Sequence, residues 1–140
     1  MSNLDILKSW YNKVWIEGDL DSIDEFFTPD AEAQGMMDFT VGPEDFKALV
    51  AAMLEQIEEI EITFNRVVET DHWVWAQMSG KAKGKLTEAD VEVAGQVMCR
   101  FANGKIVEAY NQMDFLTLFE KLGLLPENTL ALCLAGETIG

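Results

Sequence analysis

The sequence predicts an α+β fold, in which helices are followed by a run of antiparallel strands that curve into a sheet with the helices on one face. Two observations carry that expectation. Apolar residues recur at three- and four-residue steps from Leu4 to Ile60 and at two-residue steps from there to Met113, and these periods belong to half-buried helices and half-buried strands respectively. Asn103-Gly104 also lies between two alternating runs, a strong hairpin signal because both turn residues take positive φ.

Leu4, Leu7, Trp10, Tyr11, Val14 and Trp15 form one stripe of an amphipathic helix that Gly18 stops. Leu20, Ile23, Phe26 and Phe27 repeat the period over residues 19–27, with acidic residues in the first turn, where the helix dipole favours them. Thr28-Pro29-Asp30 breaks the chain, and a strand is expected over residues 31–40. Gly42-Pro43-Glu44-Asp45 opens the next helix, with proline where no amide partner is needed. Phe46, Val50, Met53, Ile57 and Ile60 lie on its apolar face, and Lys47, Glu55 and Glu58 lie on the other. Strands are expected over residues 60–69, 73–85, 91–101 and 105–113, and a helix carries Phe115, Leu118, Phe119 and Leu122 up to Gly123 and Pro126. The domain therefore spans residues 1–126. Residues 127–140 form a tail whose leucines suggest a short helix packed on the domain or on a partner subunit.

Composition narrows the function. The 140 residues include 10 basic and 25 acidic side chains, a formal charge of −15. Binding to nucleic acid draws on clustered Lys and Arg, so this chain would repel a polyanion and, for the same reason, an anionic membrane surface. No apolar run approaches the roughly 20 residues that span a bilayer, and the N-terminus lacks a secretory pattern. A cytoplasmic protein is expected. Cys99 and Cys133 stand in no metal-ligand or redox spacing and are expected to be buried thiols.

The hairpin also predicts which side chains face inward. With a two-residue loop, Ala102 faces Lys105, and counting outward Cys99 faces Glu108, Val97 faces Tyr110 and Gly95 faces Gln112. This places Glu108, Tyr110, Gln112 and Asp114 on the apolar inner face. A carboxylate among apolar groups loses solvation, its pKa rises towards neutrality, and it becomes competent as a general acid/base. Asp114 also stands where the strand gives way to a helix, so capping that helix is an equally open role, and the two can coexist. Glu108 is open to a reading as an ion-pair partner, and Tyr110 and Gln112 to a reading as ordinary strand residues. A β-bulge would exchange the faces.

Other signals are weaker. His72 is the only histidine, which excludes a His-based triad or a multi-His metal site. The run from Gly80 to Lys85 has the wrong spacing for a phosphate loop. Lys81, Lys83 and Lys85 share a strand face that is expected to be solvated and to discourage edge pairing. Trp73 and Trp75 are open to core packing, a subunit contact or a pocket wall.

The stretch from Gly104 to Asp114, followed by Leu118 and Lys121-Leu122-Gly123-Leu124-Leu125-Pro126, resembles the closing signature of SnoaL-like polyketide cyclases. Residues 7–27, with Tyr11, Trp15 and Gly18-Asp19-Leu20-Asp21, and then Pro29-Asp30, are similar to the start of the same proteins. These belong to the nuclear transport factor two-like superfamily. The resemblance covers residues 4–126. It implies a cone-shaped barrel of N-terminal helices closed by a strongly bent, mostly antiparallel sheet, an apolar cavity, and a homodimer formed through the sheet. It also implies intramolecular ring closure without metal or cofactor, with an aspartate matching Asp114 removing a proton next to a carbonyl. Tyr11 is a wall residue by the same likeness. The family often has Trp where Tyr110 stands and a His-containing turn where this chain has Gly80-Lys81-Ala82, departures that bear on any His-assisted step and, with it, on the polyketide substrate.

The expected function is therefore a cofactor-independent cyclase or isomerase with Asp114 as acid/base, and with Tyr11, Tyr110, Gln112 and Glu108 around a small apolar, polyketide-like ligand in an enclosed cavity. The alternatives are a non-catalytic binding module and a structural dimerisation domain of the same fold.

Overall fold

The computed structural model of the chain describes residues 1–35 and 41–140. The chain opens with α1 (Asn3–Trp10), which continues as a π-helical segment over Tyr11–Ile16. Ser2 and Asp5 form a reciprocal capping box at its start, satisfying two amides that the first turn leaves free. A 3-10 turn at Leu20–Ser22 leads into α2 (Ile23–Phe26). Strand β1 (Phe27–Gln34) follows directly, earlier than the sequence suggests, and runs through Pro29. The proline is tolerated because β1 is an edge strand with an irregular register between Phe27 and Glu32. The rest of the strand expected over residues 31–40 falls partly on 36–40, outside the described residues.

Helix α3 (Pro43–Leu54) is shorter than its apolar periodicity predicts. Ile57 and Ile60 belong instead to β2 (Ile57–Glu69). Strands β3 (Trp73–Gly84), β4 (Asp90–Ala102) and β5 (Lys105–Met113) complete a meander. The sheet order is β1-β5-β4-β3-β2, with β1 parallel to β5 and all other pairs antiparallel. Strand β3 is therefore internal, and its exposed lysines do not guard an edge. Lys81 stands opposite Glu92 and Glu61 instead. Helix α4 (Phe115–Lys121) and a short α5 (Thr129–Leu134) end the chain.

The helices cover the inner face of the sheet. Leu7, Val14 and Ile23 have no exposed surface, and Trp10 meets Phe27, Phe46 and Phe26 with ring centroids 4.8, 5.5 and 5.9 Å apart. Val74, Ala76, Met78, Val97, Cys99, Phe101 and Ile106 form the opposing sheet layer. A second cluster joins Ile57 and Val91 to Leu118 and Leu122, tying α4 to the far end of the sheet. Cys99 is buried as expected, but Cys133 is exposed on α5. Among the described residues, no helix is long and apolar enough to cross a membrane.

The β4–β5 register departs from the expected one. Ala102 does face Lys105, and Asn103 and Gly104 have φ of 51° and 76°. Phe101 faces Ile106, but Arg100 then faces Glu108. The extra residue is Val107, a β-bulge, and beyond it every β5 side chain changes face. Cys99 consequently faces Ala109, Val97 faces Asn111 and Gly95 faces Met113. The placement of Glu108, Tyr110 and Gln112 on the inner face is thus overturned.

Candidate functional site

Small side chains on a concave face leave space that larger ones would fill. The inner positions of the sheet include Gly80, Ala82, Ala33 and Ala109, and a cavity of about 130 Å³ opens between them and the N-terminal helix. It is almost wholly apolar, walled by Trp10, Val97, Ile62 and Leu118 among others. Its size is of the order that admits a benzene-sized molecule, below the roughly 300–1,000 Å³ of sites for drug-sized ligands.

Tyr11 enters this wall from the π-helical segment. The Glu17 amide donates to the Asn12 carbonyl five residues back at 2.8 Å, and the wider turn presents Tyr11 and Trp15 to the cavity together. Tyr11 is buried, packed edge-on against Phe64 at 5.8 Å, and its hydroxyl has no hydrogen-bond partner among the described residues. Burial pushes its pKa well above the usual tyrosine value, with the nearby Cys99 adding to the shift, so the phenol stays protonated. Burial also pushes the Cys99 thiol up to about 12, which leaves it without thiolate reactivity at neutral pH.

Asp114 reaches the cavity at its rim and is the one carboxylate in the wall among the described residues. It is exposed, not desolvated. It caps α4: one carboxylate oxygen accepts from the Thr117 amide at 3.0 Å and the other from the Thr117 hydroxyl at 2.6 Å. A carboxylate has about four acceptor positions, so two remain for another partner.

The other expected site residues lie elsewhere. Glu108 pairs with Arg100 on the outer face and accepts from the Tyr110 hydroxyl at 2.7 Å. These hydrogen bonds, Arg100's first, hold the Glu108 carboxyl below the usual glutamate range, and Glu108 in turn raises Tyr110. Tyr110 stacks on Trp73 with centroids 6.4 Å apart. Gln112 stands opposite Gln96, which accepts from the Trp75 indole at 2.8 Å. Trp73 and Trp75 are thus outer-face residues, not pocket walls.

Asn111 is the polar wall residue that sequence reasoning missed. It lies on the inner face opposite Val97 and borders the cavity, and its carboxamide has no hydrogen-bond partner among the described residues. Strand parity finds it only once the bulge at Val107 is known, and nothing in the sequence marks that bulge.

Residues 7–109 match the family described as SnoaL-like domain. No curated protein sequence matches the chain. Among solved structures, IdmH from Streptomyces antibioticus, provisionally assigned as a polyketide cyclase, superposes with a TM-score of 0.76 at 19% identity, covering 88% of this chain and 99% of that one. A provisionally assigned SnoaL-like polyketide cyclase from Jannaschia sp. CCS1 gives 0.76 at 19%, covering 89% and 93%. A LEH-like epoxide hydrolase from M. tuberculosis gives 0.67 at 12%, covering 96% of each chain. At these identities the likeness establishes the shared fold.

Proposed function

Because the chain belongs to the SnoaL-like domain family, we propose that it binds a small apolar carbonyl compound of about one ring and moves a proton next to the carbonyl. The observation that carries this reading is that Tyr11, whose phenol stays protonated, and Asp114 both line one almost wholly apolar cavity. A buried phenol that stays protonated is a hydrogen-bond donor, suited to the oxygen on which charge develops as the neighbouring carbon loses a proton. Asp114, with acceptor positions left over from the cap, takes that proton and returns it to a different atom in a cyclisation or isomerisation.

The test uses acetophenone, a one-ring ketone, in deuterated water. The protein should speed exchange of its methyl protons, followed by NMR, and Asp114→Asn should abolish the acceleration. Wild-type exchange rates in Asp114→Asn would remove Asp114 from the mechanism.

The exposed, capped state of Asp114 favours one further reading, a binding module that holds the ligand without converting it. Acetophenone bound by the wild type with no exchange would support it.

A homodimer through the outer sheet face belongs to the same proposal. Tyr110, Met98, Trp75 and Val68 stand directly opposite one another across four strands. Met98, Val68 and Tyr110 are 41, 57 and 38% exposed. A contiguous apolar row on a sheet face supports a protein contact.

A further inference from the structure

Asn111 has no part in the proton transfer proposed above, yet three independent features hold it in the cavity wall. The bulge at Val107 sets the strand parity that turns it inward. Gly35, at φ 99°, packs so closely on its backbone that a Cβ there would lie 1.7 Å from the Asn111 carbonyl oxygen. Across the ladder, Val97 is buried and fixes the opposite side. The result is a carboxamide at a fixed place in an apolar wall, without a partner among the described residues. A polar group in such a wall is costly unless something bonds to it.

We infer that Asn111 is the residue that selects and orients the ligand, donating its amide N–H to a neutral oxygen acceptor, a carbonyl or ether, on a molecule of about one ring. The inference rests on the cavity being a ligand site and adds the group that reads the ligand. A neutral acceptor fits because, among the described residues, Lys81 is the one cation that borders the cavity, and its place in the strand is that of the outer face. It is exposed there, opposite Glu92 and Glu61. The amide also sets where the acceptor sits in the hollow, and with it which ligand carbons reach the rim where Asp114 stands.

The experiment compares acetophenone with α-methylstyrene, which has the same shape with a methylene in place of the oxygen. NMR titration of the wild-type protein should show the ketone preferred. Asn111→Leu, close in size and apolar, should keep or improve α-methylstyrene binding and lose about three- to tenfold in ketone affinity. Asn111→Asp, which in its ionised form has no N–H to donate, should lose the ketone preference as well. An undiminished preference in Asn111→Leu overturns the inference, and so does an equal loss of both probes, which would make Asn111 only a wall residue. A wild-type protein that binds neither probe overturns the cavity reading beneath it, an outcome distinct from the other two. Thermal unfolding of Asn111→Leu at or above the wild-type temperature confirms that the change is in recognition and not in folding.

Discussion

Arg100 stands opposite Glu108 across the β4–β5 ladder, one residue farther along than the hairpin turn alone would place it. That single offset decides the chemistry of both sheet faces. It moves Glu108, Tyr110 and Gln112 to the outside and brings Ala109, Asn111 and Met113 to the cavity side. The ion pair it creates has a pH consequence. The folded-state pKa of Glu108 lies below the usual 4.5, through Arg100 and then Tyr110. A depressed carboxylate stabilises the fold above its unfolded pKa and loses that contribution as pH falls through the folded value. Urea midpoints should therefore fall below about pH 4.5 more steeply in the wild type than in Glu108→Gln. Parallel acid limbs would mean that the pair contributes nothing.

The cap and the proposed base are the same side chain, and substitution separates them. Asn caps a helix about as well as Asp, while Ala does not, so Asp114→Ala should lose about 1 kcal/mol of stability and Asp114→Asn almost none. Denaturant unfolding of the two variants checks this. Asp114→Asn is then a folded protein without the carboxylate, which is the form the exchange experiment requires. A large loss in Asp114→Asn would show that the negative charge itself holds α4 in place.

Gly35 combines a positive φ with direct contact on the Asn111 backbone. Gly35→Ala adds both a strained backbone and an overpacked contact, about 2–4 kcal/mol together. Gly104 has a similar φ but open space around it, so Gly104→Ala carries the backbone strain alone and should cost less. Chemical denaturation of the two variants should rank them in that order.

Most of the architecture was legible in the sequence because periodicity reports burial directly. The change of period near Ile60 marks the passage from helices to sheet, and Asn103-Gly104 marks its hairpin. Two boundaries were not legible. Ile57 and Ile60 continue the helical period of α3 by coincidence, since both are also inner-face positions of β2. Pro29 reads as a breaker because the sequence does not say that β1 lies at an edge. The site was less legible than the fold. Tyr11 stood on the predicted inner stripe and is there, and Asp114 is both cap and rim residue. The remaining assignments depended on parity along β5, and a bulge reverses parity without leaving any trace in residue type. Asn111 was hidden for that reason alone.

Tyr11 leads to a prediction at the alkaline end. Its folded-state pKa is raised by burial, so the stability it contributes is complete below the usual tyrosine value of 10 and is lost as pH rises above it. Wild-type stability should decline above about pH 10, and Tyr11→Phe should flatten that decline, leaving the smaller contribution of Tyr110. Near neutral pH, Tyr11→Phe should change stability little, because the hydroxyl removed has no partner among the described residues, and it should weaken acetophenone binding by about threefold or more. An unchanged affinity would take the phenol out of the site.

The bulge that brings Asn111 inward also turns Tyr110 outward, completing the row with Met98, Trp75 and Val68. Without the offset, Tyr110 would face Val97 inside and Ala109 would take its place opposite Met98. If two copies meet across this face, a charge at its centre must be desolvated in the dimer and hydrated in the monomer. Met98→Glu should therefore cost at least about 2 kcal/mol of association, roughly a thirtyfold rise in Kd, while leaving the monomer fold intact, because Met98 is solvent-exposed within one chain. Sedimentation equilibrium should show a dimer for the wild type and a shift to monomer for Met98→Glu. Gln77 stands beside the row on the same face, and Gln77→Glu should have a smaller effect in the same direction. A monomeric wild type at high concentration, or a Met98→Glu dimer of unchanged affinity, would assign the exposed row to some contact other than self-association.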